Sequence, residues 1–132
     1  MLFRSPAASA LQCINRHLAL KRLCHIESLY EEVCDLFIDS ADKYMADMKT
    51  AFNTPDIEKV ARSAHSLKSL AGSVGAETFM AYCNEIENLT RYKEEFQYEF
   101  ETIYKKAETE LKTVIDFLKK RTLEKTAPSF NL

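Results

Sequence analysis

Two glycines and three prolines in 132 residues leave the chain few places to reverse tightly, and this scarcity constrains the fold more than any other feature. Hairpins and sandwiches need such breakers every few residues. Long helices do not, and the apolar residues recur at the three and four spacing that one helix face requires. A hydrophobic content of 46% over this length suits one compact domain with a single core. The fold class is therefore all-α.

Four long stripes can be traced. From Ile26 to Phe52 the first runs through Ile26, Leu29, Tyr30, Val33, Leu36, Phe37, Ala41, Tyr44, Met48 and Ala51, opposite Glu31, Asp35, Asp39 and Asp42. Thr54, Pro55 and Asp56 then supply a cap, a first-turn proline and a charge suited to a positive helix end, so a second helix is expected to begin near Pro55. Its stripe is Ile57, Val60, Ala64, Leu67, Ala71 and Val74, and Gly75 offers a left-handed stop. A third helix, 76–91, carries Phe79, Tyr82, Cys83, Ile86 and Leu89. The last carries Phe96, Phe100, Ile103, Ala107, Leu111, Val114 and Leu118.

Short connections favour an antiparallel up-and-down four-helix bundle over residues 26–121. Leu11, Ile14 and Leu18 suggest an extra N-terminal helix in the basic segment 1–25, and 122–132 reads as a flexible tail. In the last stripe Phe96 and Phe100 belong to the core, which leaves Tyr98 as a surface aromatic. Lys119, Lys120 and Arg121 read as solvated charges near a helix C-terminus.

Eighteen basic against twenty acidic residues give a net charge of -2, far from the positive bias that binding a phosphate backbone demands, so nucleic acid is not an expected partner. The first 25 residues hold Arg4, Arg16, Lys21 and Arg22 with no acid, which leaves the remainder at -6. Such a start also fits an organelle transit peptide, though a short basic helix explains it as well. No apolar run approaches the roughly 20 residues that span a bilayer. Cys13, Cys24, Cys34 and Cys83 lack a C-x-x-C spacing, and no secretory signal pattern is present. Reduced thiols and a cytoplasmic location are the expectation. Cys13 with His17 and Cys24 with His25 match no recognised finger spacing, and no metal site is expected. Cys34 and Cys83 fall on or beside apolar stripes and read as small core residues.

The candidate site lies on the second helix. With its stripe centred on Val60, Ala64 and Leu67, the 100° step of a helix turns His65 roughly 150° away, toward solvent. Glu58, Ala61, Arg62, Lys68, Ser69 and Gly72 surround it on the same wheel. An imidazole is mostly neutral near pH 7, so an accessible ring nitrogen can attack a phosphoryl group. Arg62 and Lys68 flank it as cations, while Ala61, Ser69 and Gly72 leave room for another protein. A glycine within a helix costs on the order of 1 kcal/mol relative to alanine and needs a packing or functional reason.

The string Ala64-His65-Ser66-Leu67-Lys68-Ser69-Leu70-Ala71-Gly72-Ser73-Val74-Gly75-Ala76 closely resembles the A-H-x-L-K-G-x-A-x-x-x-G-A signature of histidine-containing phosphotransfer domains. Phe37, Asp56, Phe79, Cys83, Ile86 and Glu87 also fall where that family places similar residues, and the likeness covers about 26–118. It implies a four-helix bundle with His65 as phosphoacceptor, Lys68 as its electrostatic support, and Gly75 as a structural glycine. It further implies docking to receiver domains of response regulators, with loading by a histidine kinase, a hybrid kinase above all. The one departure is Ser69, where the family usually has glycine.

On that resemblance the chain is a phosphoryl carrier rather than an enzyme, needs no cofactor, and relies on catalytic groups and a metal ion of the receiver. No G-x-x-x-x-G-K-[ST] loop is present to bind ATP. Two other readings share the motif: a phosphate-independent binding module of the same fold, and the phosphoacceptor segment of a chemotaxis-type histidine kinase. The absence of a kinase domain from the sequence favours a free-standing carrier or an excised module.

Overall fold

The computed structural model describes residues 13–126, and their regular elements are all helical. They are α1 (Arg16–Arg22), α2 (Glu27–Asn53), α3 (Ile57–Val74), α4 (Glu77–Leu89) and α5 (Lys93–Thr126). α2 packs along α3, α3 along α4 and α4 along α5, and a lighter contact between α5 and α2 closes the bundle. Connections of a few residues force each neighbour to run antiparallel. α1 lies across α3 and, to a lesser extent, α2.

The core follows the stripes. Tyr30, Phe37 and Met48 of α2, Val60, Leu67 and Val74 of α3, Phe79 and Ile86 of α4, and Phe96, Phe100 and Leu118 of α5 are fully buried. Phe52 stacks on Phe100 with ring centroids 4.1 Å apart, and Phe37 meets Phe79 edge-on at 6.0 Å. The α2 stripe is narrower than its spacing suggests. Ile26, Leu29 and Leu36 are exposed, and Met45 takes a core place instead. Leu29 and Leu36 lie more than about 100° from the centre of the buried face, whereas Met45 lies roughly 50° from it.

The α2–α3 turn also differs from the expected cap. Thr54 ends α2, its hydroxyl donating to the Ala51 carbonyl at 3.2 Å. The Asp56 amide donates to Ala51 O at 2.7 Å, so the chain is still closing α2 at that point. Asp56 then caps α3, its carboxylate accepting the Lys59 amide at 3.1 Å, and Pro55 is left in the turn.

Arg16, Glu27, Tyr30, Glu31, Val74 and Arg121 meet at one end of the bundle. The Tyr30 hydroxyl donates to Val74 O at 3.0 Å, while the guanidinium groups of Arg16 and Arg121 lie over its ring at 5.4 and 5.5 Å. Arg16 pairs with Glu27. Arg121 forks onto Glu31 at 2.7 and 3.0 Å, so it ties α5 to α2 rather than standing in a solvated face. α5 continues to Thr126, past the expected end at 121, through Leu, Glu and Lys, which favour helix. The remainder of the expected tail, 127–132, lies outside the described residues, as does Leu11 of the weak N-terminal repeat. Ile14 and Ala19 of that segment are buried.

Candidate functional site

α3 begins at the Asp56 cap and ends at Gly75, whose φ of +86° is the left-handed stop. Between these ends Val60, Ala64, Leu67 and Ala71 face the core. Helical geometry then fixes the opposite face, and the His65 side chain emerges with 60% of its surface exposed.

A carboxylate from the next helix meets the imidazole. His65 Nδ1–H donates to Glu87 Oε2 at 3.0 Å. Lys68 Nζ lies 2.7 Å from Glu87 Oε1 and donates to Asn84 Oδ1 at 3.3 Å. Burial alone would raise the Glu87 carboxyl, but the bonds from Lys68 and His65 outweigh it and hold it below its ordinary value. Glu87 is thus ionised at neutral pH and can only accept. That assigns the proton to Nδ1 and leaves the Nε2 lone pair free. An open groove of about 420 Å³, lined by Ala61, Arg62, His65, Ser66 and Glu87, surrounds the ring.

Of the residues gathered by the helical wheel, Ala61, Arg62 and Lys68 stand around His65 in space. Glu58 and Ser69 are exposed on the same helix but do not line the groove. Gly72 belongs elsewhere: it is buried, and a Cβ there would meet Met80 Sδ at 3.2 Å and Arg22 Nη1 at 3.6 Å. Arg22 donates to Gly72 O at 2.7 Å and to the Glu77 carboxylate at 2.8 and 3.2 Å. The glycine makes room for Met80 of α4 and Arg22 of α1, not for the surface around His65. Glu87, Asn84 and Ser66 are the residues whose place in the site the sequence reading missed. The signal available for Glu87 was its position in the family pattern, which carries no role.

Beneath the site Cys83 is fully buried, and burial pushes its thiol up to about 12, with Lys68 opposing part of the rise. Cys34 is likewise buried. Among the described residues no group of three His, Cys, Asp or Glu side chains is placed to hold a metal, and no helix is long and apolar enough to cross a membrane. Tyr98 stands out in solvent, and so does Tyr92.

A helical bundle that presents an exposed histidine bonded to a carboxylate, which a lysine also holds, is the arrangement of a histidine phosphotransfer domain. The family model described as Hpt domain matches residues 32–119, most of the chain, and the chain belongs to that histidine phosphotransfer family. Its fold is similar to that of histidine-containing phosphotransfer protein B from Pseudomonas aeruginosa PAO1, with a TM-score of 0.75. The two are 20% identical over 85% of this chain and 96% of the other. No curated protein matches the sequence.

Proposed function

We propose that the chain carries a phosphoryl group on His65 between a histidine kinase, through its receiver domain, and a response regulator. The observation that carries this reading is the Nδ1–H bond to Glu87 on an imidazole that is otherwise open to solvent. It leaves Nε2, the ring nitrogen that Glu87 does not bond, as the nucleophile.

In the forward step Nε2 attacks the phosphorus of a partner's phosphoaspartate. A P–N bond forms as the acyl phosphate P–O bond breaks, and the aspartate leaves as a carboxylate. The Nδ1 proton stays with the ring, where Glu87 compensates the imidazolium charge. Delivery to the next receiver reverses these events. Lys68 keeps Glu87 ionised and aimed, while the receiver supplies the metal ion and most catalytic groups. Ser69, small and exposed, leaves the approach open, and Ser69→Gly is expected to change transfer only mildly.

The test is to incubate the chain with an ATP-loaded sensor kinase and receiver pair and assay acid-labile, alkali-stable phosphate, with His65→Gln alongside. Label on the parent alone supports the carrier. Stable receiver binding with no label on either chain overturns it in favour of a binding module.

A further inference from the structure

Two cations flank His65, and the structure commits only one of them. Lys68 is held by α4: its ammonium lies 2.7 Å from Glu87 Oε1 and bonds Asn84 Oδ1, so its charge is already matched by a carboxylate. Arg62, one turn before His65, is exposed and lines the groove. Among the described residues its side chain makes no ion pair or hydrogen bond. Glu58, four residues earlier and also exposed, does not pair with it. With Lys68 cancelled by Glu87, Arg62 is the uncompensated charge of the groove.

A phosphoryl group on Nε2 sits on the ring nitrogen that Glu87 does not bond, on a residue that shares the groove lining with Arg62, and brings up to two negative charges. We infer that Arg62, not Lys68, makes the direct contact with the phosphoryl oxygens of the loaded chain, an inference that rests on the carrier reading above. Its planar guanidinium offers paired N–H donors that match two phosphoryl oxygens, and it has no existing bond to break first. Lys68 already spends two of its three N–H donors on Glu87 and Asn84, and its charge is shared with the Glu87 carboxylate, so it has at most one donor to offer the same oxygens. Arg62 is thus a binding residue for the loaded state, and Lys68 a positioning residue that acts through Glu87.

Phosphoramidate tests this without any protein partner. His65 Nε2 attacks its phosphorus, the donor P–N bond breaks, ammonia leaves and a new P–N bond forms to the ring. The ³¹P resonance of the labelled full-length chain is then followed against pH. A guanidinium on the phosphoryl oxygens lowers their second ionisation, so Arg62→Gln is expected to raise it by about one unit, roughly tenfold in acidity. Arg62→Lys restores part of the shift, and Lys68→Gln moves it by less than half as much. Because Arg62 is exposed and unpaired, its replacement leaves the fold intact. Coincident titrations of labelled parent and Arg62→Gln, or a larger shift in Lys68→Gln, overturn the inference and leave the carrier reading standing. A parent that takes no label at His65 overturns both.

Discussion

The Glu87 carboxylate determines which imidazole nitrogen is free, and its removal is the sharpest single-residue test of the site. An amide can donate or accept, so Glu87→Gln releases the constraint on the ring and also frees Lys68. Loading of His65 is expected to fall about tenfold, within the range of a lost orienting partner, and ¹⁵N shifts of the ring should show mixed tautomers. A rate and tautomer like the parent's would refute the assignment. The pH dependence has a defined sign. A carboxyl held below its ordinary value stabilises the fold fully above about pH 4.5, and that contribution is lost as pH falls through the lowered value. The stability gap between parent and Glu87→Gln should therefore be flat near neutrality and close only in acid. His65 was legible in the sequence because its exposure follows from the periodicity of one helix. Glu87 was not, because a wheel drawn on α3 contains no information about what α4 brings across. Gly72 misled for a related reason: it shares the angle of His65 but sits two turns on, roughly 10 Å along the axis, where α1 covers it.

Among the elements, α1 is the one whose seat the sequence left open. Its residues gave only a weak repeat, and the features that anchor it are contributed by other helices: the α3 carbonyl of Gly72, Glu77 of α4, and the carbonyl of Gly75, which accepts the Asn15 amide at 2.7 Å. The two glycines of the chain therefore make opposite predictions. At Gly75 a Cβ would lie 2.3 Å from the Asn15 carbonyl oxygen, and φ is positive. Gly75→Ala combines backbone strain with a backbone clash and should cost about 2–4 kcal/mol in chemical denaturation. At Gly72 the nearest obstacle is the flexible thioether of Met80, and alanine recovers about 1 kcal/mol of helix propensity. Gly72→Ala should thus lie within about 1 kcal/mol of the parent, with loading of His65 unchanged. A strong loading defect in Gly72→Ala would return that residue to the partner-facing surface. The four bundle helices, by contrast, were legible because each buries its own stripe. The error on α2 came from counting Leu29 and Leu36, which share the spacing but not the angle of the buried face.

The whole molecule carries four thiols at graded depths, and their reactivity reports how its parts open. Cys24 is exposed in the α1–α2 turn, Cys13 is buried near Glu110 of α5, and Cys34 and Cys83 lie fully buried in the core. Burial raises the thiols of Cys13, Cys34 and Cys83, so in the native chain the reactive thiolate is scarce as well as shielded. A soluble disulfide reagent should modify Cys24 at once, and Cys24→Ser should abolish that fast phase. Cys13 needs only the release of the segment next to α1, a local opening that leaves the four-helix core intact. Cys34 of α2 and Cys83 of α4 are fully buried members of one hydrophobic core to which all four bundle helices contribute, so their exposure requires global unfolding. Their modification rates should accordingly coincide, and should fall with the full unfolding free energy. Gly75→Ala loosens the seat of α1 and is expected to accelerate Cys13 more than Cys83. Were Cys83 to react as fast as Cys13 in the parent, the α3–α4 pair that holds His65 against Glu87 would open independently of the rest. The geometry of the site would then be a property of one hairpin, not of a cooperative bundle.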